Sequence, residues 1–218
     1  MKRSANKGWQ RTDVVRVRSM IGITLLLVAC PAAPAGPVCV CAVARLKGGW
    51  CPACKVGYLA SVRITSEMLF EALDAHGHDF DPAAITCLTC QKAMTDGGYC
   101  DQCRMGFVHG QAYLSRLTYH LARGEARDPK GIACPKCRKN SQQAGWCDDC
   151  KIGMIGNVAT ADKKEYEDTL REFQRLLKAI QMIPRCESCA VAMFTGGTCP
   201  SCKISYKDGK PREDPKKP

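Results

Sequence analysis

Gly97-Gly98-Tyr99-Cys100-Asp101-Gln102-Cys103-Arg104-Met105-Gly106 decides the fold, because it occurs four times in variant form. The other copies are Gly48-Gly49-Trp50-Cys51-Pro52-Ala53-Cys54-Lys55-Val56-Gly57, Ala144-Gly145-Trp146-Cys147-Asp148-Asp149-Cys150-Lys151-Ile152-Gly153 and Gly196-Gly197-Thr198-Cys199-Pro200-Ser201-Cys202-Lys203-Ile204-Ser205. A second cysteine pair precedes each copy: Cys87 and Cys90, Cys134 and Cys137, Cys186 and Cys189. In the first copy this pair is Cys39 and Cys41, with one residue between instead of two.

Bulk composition agrees with a stapled chain. The 218 residues include 17 cysteines but only 6% aromatic residues, so one large apolar core is not expected. Small modules of this kind lean on disulfides or metal ions for stability. The net charge of +11 points to an acidic partner such as nucleic acid, but two corrections reduce it. Residues 1–29 carry six basic and one acidic residue, so without them +11 − 5 leaves +6. Four-thiolate sites holding a divalent ion would each add about −2, bringing the total near −2. Lys55, Arg104, Lys151 and Lys203 directly follow the cysteine pairs, where a positive charge favours thiolate.

The N-terminus reads as an export signal. Residues 1–19 carry Lys2, Arg3, Lys7, Arg11, Arg16 and Arg18, and an apolar run from Met20 to Ala29 follows. That run is shorter than the roughly 20 residues a spanning helix needs, and suits a cleaved leader. It ends Leu27-Val28-Ala29-Cys30. These residues resemble the lipobox of bacterial lipoproteins, which implies removal of residues 1–29 and acylation of Cys30. Residues 30–38, rich in proline and alanine, would then be a stiff tether.

Cys51, Cys100, Cys147 and Cys199 recur at a period near that of a repeat array. The expected fold is a small metal-stapled α+β repeat array, with four β-hairpins separated by three short α-helices. The divisions are 39–84, 85–131 and 132–184 for three hairpin-plus-helix repeats, 185–206 for a fourth hairpin, and 207–218 for a disordered tail. The glycines before each second pair suit a hairpin turn with positive φ. Trp50, Tyr99 and Trp146 would pack beside the ions, with base stacking as the minority role. The first helix would start at Thr65 or Ser66, bury Met68, Leu69, Ala72 and Leu73, and stop at Gly77. The second would carry Tyr113, Leu114, Leu117 and Leu121 and end at Gly124. The third would open on an Asp162–Glu165 capping box, carry Tyr166, Leu170, Phe173, Leu177 and Ile180, and end at Pro184. Such short helices would cohere through nearest-neighbour contacts along the array.

Two cysteine pairs brought together make a closed tetrahedral site for Zn²⁺, with Fe as the other ion that takes the same donors. Four ions would be held by Cys39, Cys41, Cys51 and Cys54; by Cys87, Cys90, Cys100 and Cys103; by Cys134, Cys137, Cys147 and Cys150; and by Cys186, Cys189, Cys199 and Cys202. The quartets resemble the zinc-ribbon and rubredoxin-like knuckle families. The glycine after each last cysteine (Gly57, Gly106, Gly153) would bend the chain away from the ion, with Ser205 as the exception. The Cys39–Cys41 spacing makes the first site the irregular one. Disulfides and covalent haem compete for the same cysteines.

The four histidines, His76, His78, His109 and His120, read as solvated or packing residues. No catalytic residue is assigned, and the chain reads as a non-enzyme. Three functions compete. The first is an exported, lipid-anchored structural protein of the cell envelope, on the outer side of the cytoplasmic membrane or in the outer membrane, binding a protein or envelope partner. The second is a metal- or thiol-handling protein. The third is a cytoplasmic nucleic-acid-binding zinc protein, a role that export would make unlikely to meet its ligand.

Overall fold

The computed structural model of the chain describes residues 38–212; the expected leader, Cys30 and the tether to Pro37 lie outside them, as do residues 213–218. The first repeat runs α1 (Cys41–Lys47), β1 (Gly49–Cys51), β2 (Val56–Leu59), β3 (Val62–Ile64) and α2 (Glu67–Leu73). The second runs α3 (Leu88–Asp96), β4 (Tyr99–Cys100), β5 (Met105–Val108), β6 (Gln111–Tyr113) and α4 (Arg116–Arg123). A connecting strand, β7 (Glu125–Ala126), precedes α5 (Pro135–Gln143), β8 (Gly145–Cys147), β9 (Ile152–Ile155), β10 (Val158–Thr160) and α6 (Lys163–Met182). The fourth repeat has α7 (Glu187–Thr195), β11 (Tyr206–Lys207) and β12 (Lys210–Pro211).

Each quartet therefore contains a helix that the sequence reading lacked. The first cysteine pair does not sit in a hairpin. Cys87, Cys134 and Cys186 are the N-caps of α3, α5 and α7, and their partners lie in the first helical turn. The glycine expected in a hairpin turn instead ends the helix: Gly97 caps α3 at φ +67°, its N–H donating to the Ala93 carbonyl. Hairpins form later, around the second pair. β4 and β5 flank Cys100–Cys103, and β6 adds a third strand through a two-residue turn at His109-Gly110. Both turn residues have positive φ (+50° and +78°), the type I′ geometry that matches strand twist. Asp208-Gly209 makes the same turn between β11 and β12. The expected disordered tail is thus corrected: Lys207 to Pro211 is an ordered hairpin, anchored where Arg175 Nη2 donates to Asp208 Oδ1 at 3.2 Å.

The separating helices appear with altered bounds. Ser66 caps α2 through its side chain, but Asp74 in the left-handed region ends it, before Gly77, and Met68 is exposed. Tyr113 lies in β6 and Leu114 is exposed, so only Leu117 and Leu121 of that stripe face inward from α4. The third helix is not short: α6 spans 20 residues. Asp162 Oδ1 accepts from Glu165 N–H at 2.8 Å, as a capping box requires. The reciprocal half is diverted, because Glu165 Oε1 pairs with Arg123 Nε at 3.1 Å. The fully buried line of α6 is Tyr166, Thr169, Phe173, Leu176 and Ala179, with Leu170, Leu177 and Ile180 on its flanks.

Glycine after the last cysteine has a packing role. Gly57, Gly106 and Gly153 lie opposite Trp50, Tyr99 and Trp146 in the strand register. A Cβ at any of them would overlap a ring from the following helix: Phe70, Tyr119 or Tyr166. The ring pairs Trp50–Phe70, Tyr99–Tyr119 and Trp146–Tyr166 stand 5.5, 5.3 and 5.6 Å apart. No helix follows the fourth knuckle among the described residues, and Ser205 can stand there.

One apolar core joins all four repeats, against the expectation of a linear array. It contains Ile64, Leu69 and Leu73 from the first, Leu117 and Leu121 from the second, Ile155, Phe173 and Leu176 from the third, and Ala190 and Phe194 from the fourth. α6 packs on α4 and α7, and α2 packs on α7, so first and fourth repeats touch. First and third also meet. Gly156 lies against the Ala60 carbonyl, and buried Asn157 donates to the Leu46 carbonyl at 2.8 Å.

Replacing Gly153 by Ala should destabilise the ion-loaded protein by about 1–3 kcal/mol, because the Tyr166 ring must move. Ser205→Gly should change stability by less than about 1 kcal/mol. Leu176→Ala, at the centre of the core, should cost about 2–5 kcal/mol. Denaturant unfolding of the three variants checks the order.

Candidate metal centres

Local chain geometry brings each cysteine quartet together. The second pair forms a tight turn that closes with Lys55, Arg104, Lys151 or Lys203 in the left-handed region, at φ between +51° and +59°. This turn aims a backbone N–H at a sulfur: Cys103 N–H donates to Cys100 Sγ at 3.4 Å and Cys202 N–H to Cys199 Sγ at 3.3 Å. The first pair sits at a helix start, where free N–H groups point the same way. Cys189 N–H donates to Cys186 Sγ at 3.4 Å. The inner thiols Cys90, Cys100, Cys137, Cys147, Cys189 and Cys199 are buried, and the outer ones Cys103, Cys150 and Cys202 are exposed.

All sixteen predicted ligands fall into four groups whose sulfurs lie within 4.8 Å of one another. Close pairs are Cys87–Cys100 at 3.9 Å, Cys134–Cys147 at 4.0 Å and Cys186–Cys199 at 3.8 Å. A tetrahedral ion with metal–sulfur bonds of about 2.3 Å separates its sulfurs by about 3.8 Å. The close pairs match that separation, and the remaining sulfurs lie within 4.8 Å. The sixteen described cysteines are all free thiols.

The first quartet gathers as the others do, despite its irregular spacing. α1 begins at Cys41 itself, so Cys39 reaches the site from outside the helix. Val40 N–H donates to Cys51 Sγ at 3.4 Å, the bond that the C-x-C spacing makes available. The cost is exposure of Cys39, which faces solvent 3.5 Å from Cys54, whereas the matching Cys87, Cys134 and Cys186 are half-buried.

Charge is distributed unevenly within each group. Backbone N–H donation from Cys90, Cys137 and Cys202 lowers the Cys87, Cys134 and Cys199 thiols to about 7, and the Val40 N–H lowers Cys51 to about 6. Burial raises Cys90 and Cys137, and pushes Cys189 up to about 12. The hydrogen bond with the Cys41 thiol raises Cys54 to about 12. Each site therefore holds one thiol lowered toward neutrality beside at least one raised by burial or by a neighbouring thiol.

His109 lies in the β5–β6 turn, and His120 Nδ1 faces Glu165 Oε1 at 3.4 Å on the α4–α6 seam. Neither joins a quartet. The rings of Trp50, Tyr99 and Trp146 pack on helices, as the favoured sequence reading had it. A feature missed in the sequence is the repeated connector Asp81-Pro82-Ala83-Ala84-Ile85-Thr86-Cys87 and Asp128-Pro129-Lys130-Gly131-Ile132-Ala133-Cys134. In both, the aspartate caps a 3₁₀ turn (Pro82–Ala84, Pro129–Gly131) that delivers the first ligand. In both, the residue after the helical cysteine, Gln91 or Arg138, donates to the carbonyl of Ile85 or Ile132.

A model of the laminin EGF domain matches residues 74–115. That stretch runs from the end of α2 to the N-cap of α4 and contains one quartet, Cys87, Cys90, Cys100 and Cys103. The likeness is to one cysteine-rich module and leaves most of the chain unmatched. No curated protein and no solved structure matches the chain.

Titrating metal-free protein with Zn²⁺ at pH 7 should saturate the quartets at four ions per chain, the number of thiol groups the structure assembles. Each ion should release between three and four protons, since ordinary thiols are protonated at pH 7 and the lowered one is about half so. Binding should therefore weaken as pH falls, by about 10³- to 10⁴-fold from pH 7 to pH 6. Calorimetry in buffers of different ionisation enthalpy counts the protons.

Proposed function

We propose that this chain is an exported, lipid-anchored interaction protein, in which four modules of four cysteines each hold structural zinc and present a rigid surface to a protein or envelope partner. The observation that carries this reading is the placement of the four quartets around one shared core. Ions in such positions staple the start of a helix to a knuckle and contribute on the order of 10–16 kcal/mol each to folding. Soft thiolates in a closed tetrahedron suit zinc as a structural ion. The likeness to the laminin EGF domain supports a cysteine-rich extracellular or interaction module. Among the described residues no helix is long and apolar enough to cross a membrane, so attachment would come through Cys30. Acyl chains there contribute about 0.8 kcal/mol per buried CH₂.

One observation favours a second reading for the first module. Its two exposed thiols, Cys39 and Cys54, make it the site most open to exchange with solvent. Metal or thiol handling would act there, while the other three quartets stay structural. The nucleic-acid reading loses its stacking platform, because Trp50, Tyr99 and Trp146 are paired with helix aromatics.

Mass spectrometry of protein purified from cell membranes should show Cys30 as the acylated first residue. Cys30→Ala should move the protein out of the membrane fraction. An intact leader with the protein in the cytosol would overturn the export reading. Under mild chelation the first quartet should lose its ion at least about tenfold faster than the other three. Equal loss from all four would remove the second reading.

A further inference from the structure

Among the described residues outside the cysteines, one cluster brings three metal-ligating groups together: Asp74, His76 and His78, with ligand atoms all within 4.8 Å of one another. We infer that these residues form a fifth divalent-cation site, open on one side and chemically unlike the quartets.

The three groups stand within a few tenths of an ångström of the spacing a small ion needs. Asp74 Oδ1 and Oδ2 lie 2.8 and 2.9 Å from His78 Nε2, a direct hydrogen bond that an ion would replace, and Oδ1 lies 3.6 Å from His76 Nδ1. Metal–nitrogen and metal–oxygen bonds of about 2.0–2.2 Å place neighbouring ligand atoms about 3.0–3.5 Å apart. The two imidazole rings stand 4.4 Å apart on the same carboxylate. Two imidazoles and one carboxylate select borderline divalent cations such as Zn²⁺, Co²⁺ and Ni²⁺, and leave coordination positions for water or a small donor.

The backbone presents two of the three ligands in fixed positions. Asp74 is the left-handed cap of α2 at φ +50°. His78 is clamped to β6 by paired bonds: its N–H donates to the Ala112 carbonyl at 2.8 Å, and Ala112 N–H donates back at 2.9 Å. Gly77 permits that approach, since a Cβ there would overlap the Gln111 side chain. His76 completes the set from solvent, with its side chain 73% exposed. Asp74 and His76 also line a cleft of about 550 Å³ with Trp50, Glu67, Phe70 and Glu71, which gives an ion a path in.

A purely structural role does not account for these side chains. The next connector makes the same excursion, with Gly124 in place of Gly77 against Val158 and Glu125 paired to Ala159. At the positions matching Asp74, His76 and His78 it carries Leu121, Arg123 and Glu125. The fold of a connector thus needs the glycine and the strand bridge, not two imidazoles around a carboxylate.

The test uses the full chain with its quartets loaded, dialysed to equilibrium against micromolar Zn²⁺, and compares it with His76→Ala/His78→Ala. Wild type should hold one more zinc per chain than the double variant, with thiol-bound ion unchanged in both. Because the readout is a difference, it does not depend on which ion fills the quartets. Asp74→Asn, which keeps shape and left-handed tolerance, should weaken the extra zinc more than about tenfold. In NMR spectra the ring signals of His76 and His78 should shift on loading, while those of His109 and His120 stay in place. Equal zinc in wild type and double variant, or an extra ion whose binding leaves His76 unshifted, overturns the inference. A drop in melting temperature in the variants with zinc uptake unchanged also overturns it, and marks the Asp74–His78 pair as purely structural.

Discussion

Drawing four sulfurs within 4.8 Å of one another is the constraint on which each repeat depends. The requirement sets where a helix begins, because its capping cysteine must face the knuckle. It also sets the knuckle itself, whose closing residue takes a left-handed conformation despite carrying a long side chain. Backbone N–H groups converge on the sulfurs from both sides and lower one thiol of each quartet. An ion then offsets the repulsion that the remaining thiolates would meet. Irregular spacing in the first quartet is absorbed by starting the helix at Cys41, at the cost of leaving Cys39 in solvent as well as Cys54.

The second organising interaction is the aromatic pair behind each knuckle. A ring on the first strand, a glycine opposite it and a ring on the following helix form one unit in three repeats. This unit ties a metal module to the helix that enters the shared core. The glycine is there because two rings occupy the space a side chain would take. The fourth repeat lacks the helix, and the glycine is replaced by serine. Cysteine quartet and core are thus connected through a few rings, and α6 packs on the helices of its neighbours.

Holding each quartet in its own small cluster beside the shared core leaves the connectors free to vary. The two Asp-Pro connectors share a 3₁₀ turn and a strand bridge, yet carry different side chains on the same excursion. Three of those side chains in the first connector, Asp74, His76 and His78, are of types that can ligate a metal and lie together. The repeats therefore share a scaffold and differ in surface chemistry, which is where recognition of a partner or a further cation would reside.

Sequence by itself determined the composition of the sites: sixteen cysteines in four quartets, the period between them, the Ser66 and Asp162 caps, and the stop at Pro184. These are local features, set by spacing and by hydrogen bonds within a few residues. It also pointed to glycine after each knuckle, but not to the reason, because Phe70, Tyr119 and Tyr166 lie on a separate element. The helices inside the quartets were masked by paired glycines that serve a helix end as readily as a hairpin. Only the tertiary structure decided that the repeats close around one core. That closure rests on contacts between residues far apart in the chain, such as Asn157 with Leu46 and α2 with α7, and no periodicity encodes them. The grouping of Asp74 with His76 and His78 is of the same kind, since it needs a helix to end in the left-handed region and the chain to turn back onto β6.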